Sequence, residues 1–415
     1  TEIYQEGLRI PPLKLVERGV PNETLYRIVE KNVRLPDRVF GDLRAQLAAC
    51  DMAERGFLAL IAKRGAEQVQ AWMAELVDYA ERLTRAAIRD LPDGAHAFED
   101  WIDHDGIDLD RPIPLRVTVT VAGDRLAVDW TGSSAQVKGA INNTYSYTRS
   151  ASYCCVKAIL GPDIPNNEGF FRCVEVIAPA GTIANAVPPA ACAARGLTGF
   201  RMVDCLFGAL ARMLPDRVFA ASDGGNTGIS IGGYDRERRP FIYVDFIAVA
   251  WGGRPWADGL DGNSSMFANT SLQPVEALER EQPVEVLRFE FRPDSGGPGK
   301  FRGGMGIRRD YRLTEAEAVL QVRSDRVHFR PYGLSGGMPG QTSRNVLNPD
   351  TPDERPLPGK FNLTLHRGDV YRHELAGAGG WGDPFERDPA RVLRDVRNGL
   401  CLLYTSDAAD DLTRV

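Results

Sequence analysis

The spacing of apolar residues along the chain is helical near its start. Apolar side chains recur at steps of three and four residues between positions 69 and 87, which predicts one apolar helix face. They are Val69, Trp72, Met73, Leu76, Ala80, Leu83 and Ala87. Residues 37–63 mix Leu, Ala and charge without Pro and predict a preceding helix, separated at Gly65. We expect the two helices to pack as an antiparallel pair, after an extended lead-in over residues 1–36.

Further along, the spacing of apolar residues changes to a period of two. Leu115, Val117, Val119 and Val121 alternate with polar residues, and a second alternating run follows Gly123, which predicts a β-hairpin. Helices are predicted near 146–160 and 200–214, and strands near 241–249, 286–292 and 319–323. The fold class is therefore α+β, with a helical N-terminal part and a β-rich, glycine-rich remainder of mixed sheets. The predicted division is a helical segment over 1–110 and a β-rich core over 111–400.

Composition narrows the classes of function. With 50 basic and 56 acidic residues, the net charge of −6 gives no general attraction to nucleic acid or anionic membranes. No apolar run reaches the ~20 residues that span a bilayer. The seven cysteines show no CxxC spacing, which favours reduced thiols and a cytoplasmic location.

Several short motifs are better explained as turns than as sites. Residues 294–298 read like the segment around a protease serine, but no histidine has the setting of a triad base. The same stretch fails the phosphate-loop pattern, since Phe301 stands where a hydroxyl is needed. Residues 103–108 resemble part of a calcium loop, yet the glycine is misplaced, so we expect a solvated acidic turn. The five histidines are too dispersed to indicate a metal site.

Glycine is unusually dense between residues 222 and 340, together with Asp, Asn, Arg and Glu. Loops that carry carboxylates, amides and guanidinium groups on a β scaffold often line a binding site. A network of structural salt bridges between loops explains the same composition equally well.

These segments and several others resemble the hydantoinase B family, which includes the matching half of 5-oxoprolinase and related subunits of acetone and acetophenone carboxylases. The resemblance follows the chain in order. It is carried by residues 3–12, 32–34, 41–46, 164–169, 252–304, 324–326 and 379–384.

The resemblance implies one half of an ATP-dependent hydrolase that opens a cyclic amide such as a hydantoin, 5-oxoproline or a lactam. A hydantoinase A-like partner would bind ATP and phosphorylate the substrate's oxygen, and the B-type chain would direct attack on the activated carbon. A divalent metal is also expected, with its ligands in a region that precedes Thr1. The alternatives are an ATP-dependent ketone carboxylase subunit and a non-catalytic scaffold.

The residues retained in the wall of such a site would come from the matching segments. Arg254, Arg302 and Arg326 would offer planar donors to phosphate or carboxylate. Asp42 or Glu276 would orient water or a metal ligand. The complete predicted set is Asp42, Arg254, Asp258, Asp261, Asn269, Glu276, Arg302, Asp325 and Arg326, with Gln46 beside Asp42.

The two ends of the chain depart from the family pattern. The chain begins Thr1-Glu2-Ile3-Tyr4 without Met, which we interpret as continuation from a missing N-terminal region. Residues 401–415 no longer match the family, and we predict that this tail is not native.

Overall fold

The computed structural model describes residues 1–225, 227–247 and 250–402, which form an α+β fold as the sequence predicts. The first part of the chain supplies most of the helices. Its elements are β1 (Val16–Glu17), β2 (Val20–Pro21), α1 (Glu23–Asn32), α2 (Pro36–Arg64), α3 (Ala66–Arg89), β3 (Gly94–Ile102), β4 (Ile113–Ala122), β5 (Arg125–Asp129), α4 (Tyr145–Leu160), α5 (Glu168–Phe171), β6 (Val174–Ile177) and α6 (Arg195–Ala211).

The remainder is dominated by strands. Its elements are β7 (Gly228–Tyr234), β8 (Pro240–Phe246), α7 (Val275–Glu281), β9 (Val284–Phe291), β10 (Ile307–Leu313), β11 (Glu317–Arg323), β12 (Arg344–Leu347), β13 (Arg355–Leu357), β14 (Lys360–His366), β15 (Val370–Glu374) and α8 (Pro389–Arg397). The predicted hairpin and both predicted short helices are present, as β4–β5, α4 and α6. Of the predicted strand 241–249, the last residues lie outside the described ranges.

The first sheet has the strand order β3-β4-β5-β6 and packs against helices α3, α4 and α6. Val117, Val119 and Val121 point into one core from β4, while their neighbours along the strand are more exposed. This is the period-two pattern expected of a sheet with one buried face. The predicted domain boundary after residue 110 falls between β3 and β4, which pair antiparallel over their whole length.

The second core lies between two antiparallel sheets, ordered β14-β11-β7-β8 and β13-β12-β15-β10-β9. Ile229 and Leu320 face it from the first of these sheets, and Tyr311 and Tyr371 from the second, with their rings stacked. The molecule therefore has two hydrophobic cores, and the segments that connect them hold the site described below.

Two expectations for the N-terminal part are wrong. Residues 1–36 are not simply extended, because Asn22 caps α1 by accepting a hydrogen bond from the Leu25 amide. Helices α2 and α3 do not pack as an antiparallel pair: Phe57 and Leu58 on α2, and Trp72 and Leu76 on α3, are about half exposed. Of the predicted apolar face, Leu83 and Ala87 pack against the first core, next to Ile88, which the prediction did not include. No helix among the described residues is long and apolar enough to cross a membrane.

The glycine-rich segments pack main chain against main chain. A Cβ on Gly303 would overlap the carbonyl oxygen of Ala378, and one on Gly377 would overlap that of Ser295. Any side chain would force these segments apart. The same close packing involves Gly252, Gly253, Gly259, Gly296, Gly297, Gly304, Gly337, Gly340, Gly379 and Gly380. Much of the glycine density is therefore explained by packing.

Two glycines, one packed against backbone and one in open space, test this explanation. Gly303→Ala should lower the free energy of unfolding by at least about 2 kcal/mol, because the backbone of Ala378 cannot move aside. Gly56→Ala, in the exposed middle of α2 with open space around it, should raise that free energy by about 0.5–1 kcal/mol. Denaturant unfolding of both variants is the measurement, and equal effects would refute the packing argument.

Candidate functional site

Helix α6 runs through the interior and carries two charged residues there. It is buried from residue 197 to 210 because its sequence is apolar on all sides. Gly199 and Gly208 let the rings of Tyr147 and Phe98 rest directly on the helix backbone. Arg201 and Asp204, one turn apart, are thereby fixed inside the protein with no access to solvent.

The turn that follows β11 meets this helix. Asp325 and Arg326 are both buried, and Arg326 adopts a left-handed backbone conformation with φ of 68°. The unusual conformation directs the two adjacent side chains into one charged cluster. Asp325 and Arg326 are thus in contact with α6. The sequence analysis predicted these two residues as part of the site, but it predicted no site residue on α6.

Each guanidinium bridges two carboxylates in this cluster. Arg201 donates to Asp100 Oδ1 at 3.0 Å, and its Nε lies 3.3 Å from Asp325 Oδ2. Arg326 donates to Asp204 Oδ2 at 2.8 Å and lies 3.5 Å from Asp100 Oδ2. Several of these buried atoms still lack a hydrogen bond among the described residues, namely Asp100 Oδ2, Asp325 Oδ2, Arg201 Nε and Nη1, and Arg326 Nε. Buried polar atoms without a hydrogen bond are uncommon, which sets this cluster apart from an ordinary salt-bridge network.

Asp223 is the carboxylate with the fewest partners in this cluster. It is 1% exposed, and neither oxygen makes a hydrogen bond of good geometry among the described residues, although the Gly225 and Ala250 amides lie near. Its neighbour Gly224 lies against the Arg326 and Arg201 guanidiniums. Burial, together with the nearby Asp204 charge, raises the pKa of Asp223 well above its ordinary value. Burial therefore favours the neutral form of Asp223 inside this charged cluster.

The other carboxylates of the cluster differ in the same physical terms. Burial raises the pKa of Asp204 to about 7 and that of Asp325 to about 6, although guanidinium or ammonium groups oppose the shift. Asp103 behaves oppositely: despite its burial, the Lys360 charge and three backbone amides lower its pKa. At one pH the site can thus contain some carboxyl groups that are protonated and others that are ionised. Acid–base chemistry requires such an arrangement.

The expected solvated turn at residues 103–108 is wrong. Asp103, His104 and Asp105 are all buried. Asp103 accepts hydrogen bonds from the amides of residues 327–329, at 2.7–3.2 Å, and so joins the end of β3 to the turn after β11. His104 Nδ1 accepts from the Gly106 amide, and burial with the Lys360 charge lowers the pKa of His104 to about 4. His104 is therefore neutral at pH 7.

A second group of the predicted residues forms a separate salt-bridge network. Arg302 makes two hydrogen bonds to Asp261, at 2.9 and 3.0 Å, and one to Asp395 of α8 at 3.1 Å. Asp258 pairs with Arg387, whose hydrogen bonds lower the pKa of Asp258 although burial opposes this. Because the Arg302 guanidinium is already paired with the carboxylates of Asp261 and Asp395, these residues have a structural role: the network holds α8 in place.

The remaining predicted residues are dispersed. Arg254 donates to the Asp258 carbonyl oxygen at 2.6 Å and belongs to the second network. Asp42 and Gln46 lie on the exposed surface of α2, and Asn269 and Glu276 lie in or near an exposed loop. The structure therefore brings Asp325 and Arg326 into one site, places four other residues in a second, and leaves the rest apart. The catalytic role of every one of them remains a prediction.

The donor sets for a metal or a nucleotide are not assembled in the described part of the chain. No group of three or more His, Cys, Asp or Glu side chains there has the arrangement of a metal site. Lys300, the lysine of the phosphate-loop look-alike, pairs with Glu386 at the surface, and Ser295 is fully buried. The described residues thus do not form a binding site for a resident metal. The chemistry proposed for this chain involves no metal-bound step.

The fold and the co-linear motifs agree with comparisons to known proteins. The chain belongs to the Hydantoinase B/oxoprolinase family, whose match extends over residues 1–384. It is 34% identical to a protein of Pseudomonas sp. strain NS671 that is provisionally named as the B component of a D-/L-hydantoinase, over 96% of this chain and 69% of that protein. It is 33% identical to the beta chain of the caprolactamase of Pseudomonas jessenii, over 96% of this chain and 70% of the relative.

Two solved structures share the fold. The crystal structure of ATP-dependent caprolactamase from Pseudomonas jessenii matches with a TM-score of 0.90 and 31% identity, over 98% of this chain and 72% of that one. Acetone carboxylase matches with a TM-score of 0.89 over 98% of this chain and 61% of that one. At 19% identity the second likeness shows the fold alone.

Sequence reasoning missed Asp100, Arg201, Asp204 and Asp223. A charged residue inside the apolar run of α6 was the available signal, because an arginine surrounded by apolar positions must be paired when the helix is buried. No local pattern marks Asp100 or Asp223, which join the cluster through tertiary packing.

The raised pKa of Asp223 makes a prediction about pH. A carboxyl whose pKa is higher in the folded state stabilises the fold fully below its unfolded value near 3.8, and this stability is lost as the pH rises toward the folded pKa. The loss is up to about 1.4 kcal/mol per pH unit for one group. Asp223→Asn should therefore flatten the fall in melting temperature between pH 5 and pH 8, and Asp353→Asn, at an exposed position, should not. Parallel pH profiles for wild type and Asp223→Asn would contradict the assignment.

Proposed function

We propose that this chain is the B-type subunit of an ATP-dependent cyclic-amide hydrolase. The observation that carries the proposal is the match to ATP-dependent caprolactamase along 98% of the chain at 31% identity. The hydantoinase and caprolactamase relatives are each named as one component of a larger enzyme, which supports assembly with a second chain. That partner would be the A-type chain, which supplies the ATP site and phosphorylates the amide oxygen.

The charged cluster around α6 gives this chain a defined part in ring opening. Arg201 and Arg326 present guanidinium atoms without hydrogen bonds, and such atoms stabilise oxyanion charge in a site that excludes water. Asp223, whose pKa is raised by burial, would deliver a proton to the ring nitrogen as its bond to carbon breaks. The proposed reaction consumes ATP and two molecules of water and releases ADP, phosphate and the ring-opened product, which is an amino acid from 5-oxoproline or a lactam and an N-carbamoyl amino acid from a hydantoin.

Reconstitution tests the proposal directly. The chain, with the region that precedes it in the parent gene and its cognate A-type subunit, is incubated with ATP, Mg²⁺ and 5-oxoproline, hydantoins or lactams. We expect ring-opened product in proportion to the ADP formed, with or without bicarbonate. Turnover only with a ketone and bicarbonate would indicate a carboxylase, and a stable complex without turnover would indicate a scaffold; either result refutes the proposal.

The same assembly tests the part assigned to Asp223. Asp223→Asn should lower kcat by at least about a hundredfold, the range for loss of a positioned acid, and leave complex formation intact. Asp353→Asn is the matched control and should retain wild-type turnover. Unchanged kcat in Asp223→Asn would remove Asp223 from the chemistry while leaving the B-type assignment standing.

A further inference from the structure

A cavity of about 340 Å³ lies between the start of α6 and the sheet that contains β7, β8 and β11. Arg195, Gly196, Tyr147, Ser230 and Arg323 contribute its walls, with Phe246 on the apolar side. Its volume suits a small-molecule ligand. Helix α6 and the chain at the end of β11 contribute residues to both the cavity and the charged cluster: Arg195 and Arg323 line the cavity, and Arg201 and Asp325 belong to the cluster.

The two arginines in its wall have no carboxylate partner within ion-pair distance among the described residues. Arg195 stacks over the Tyr147 ring at 5.4 Å and makes one long contact, 3.5 Å, to a backbone carbonyl. Arg323 is half-buried, and burial lowers its pKa although the charge of Glu6 opposes this. Glu6 itself accepts a hydrogen bond from the Ala193 amide at 2.6 Å. Arg195 is exposed and Arg323 is half-buried. A half-buried guanidinium without a counter-ion is uncommon because its desolvation is costly, so an anion that entered the cavity would stabilise Arg323.

The helix beside them adds to the positive potential. α6 begins with no side-chain cap and no acidic residue in its first turn. The first backbone amides of this 17-residue helix carry partial positive charge at the cavity wall, and the Glu6 carboxylate at the Ala193 amide offsets part of it. Glu6 is the acidic side chain whose charge reaches Arg323, so the two guanidiniums exceed the acidic charge at the cavity.

We propose that this cavity binds a small molecule through an oxyanion, a carboxylate or phosphoryl group, held between Arg195 and Arg323. The fork of donors on each guanidinium suits the oxygens of either group. The apolar side of the cavity, formed by Val244 and Phe246, receives the uncharged part of the ligand. The site is defined by the isolated chain and does not depend on catalytic turnover.

Binding to the purified chain at low ionic strength tests this inference. Calorimetric titration with inorganic phosphate, with 5-oxoproline and with uncharged caprolactam separates the phosphoryl, carboxylate and neutral ligands. We expect at least one of the two anions to bind, and Arg195→Gln and Arg323→Gln each to weaken it at least tenfold. Arg323→Lys, which keeps the charge, should retain more of the affinity than Arg323→Gln, and Arg236→Gln, at an exposed arginine outside the cavity, should bind as wild type does.

Each outcome has a defined meaning. Binding of phosphate alone assigns the phosphoryl group, binding of 5-oxoproline alone assigns the carboxylate, and both support the shared chemistry. The inference is overturned if neither anion binds, if caprolactam binds as tightly as the anions, or if both glutamine variants keep wild-type affinity. Melting curves exclude unfolded variants, and failure here leaves the turnover test of the B-type assignment unaffected.

Discussion

The arrangement of the molecule depends on the burial of Arg201 and Arg326 between aspartates from three different segments. Asp100 and Asp103 come from β3 and its end, Asp204 from α6, and Asp325 from the turn after β11. Isolated charges cannot remain in such an interior, so each segment must be present for the others to be tolerated. The cluster therefore fixes how the core of the first sheet meets the core of the two-sheet sandwich.

The same constraint produces the chemical asymmetry of the site. Carboxylates that receive backbone amides, such as Asp103, remain ionised. Asp223 receives no hydrogen bond of good geometry among the described residues, and burial raises its pKa. Two acids of one residue type thus have pKa values shifted in opposite directions because of their surroundings alone. The cavity between Arg195 and Arg323 is the place where we propose that an anion binds.

The sequence predicted those parts of the fold that leave a local periodic signal. The hairpin β4–β5 and helix α3 were evident because regular alternation or three- and four-residue spacing follows from burial of one face. The packing of α2 against α3 was predicted incorrectly, because an apolar stripe does not say what covers it, and here Trp72 and Leu76 remain exposed. The glycine packing was invisible because it joins segments distant in sequence.

The site was predicted only in part, for a similar reason. Asp325 and Arg326 were selected through family resemblance, but their partners Arg201 and Asp204 lie more than a hundred residues away. The charged residues near Gly303 looked equally functional, yet Arg302 and Asp258 pair with the elements around α8. Charge and glycine content do not distinguish a site from a salt-bridge network; the burial of unpaired atoms does.

The central claim is that burial in the charged cluster raises the pKa of Asp223 well above its ordinary value and so favours its neutral form. The infrared difference spectrum between wild type and Asp223→Asn at pH 7 measures this directly, because protonated carboxyl and carboxylate groups absorb at different frequencies. The account predicts a protonated-carboxyl band that is present in the wild type and absent from the variant. A difference that contains only carboxylate bands would show Asp223 ionised and would contradict the account.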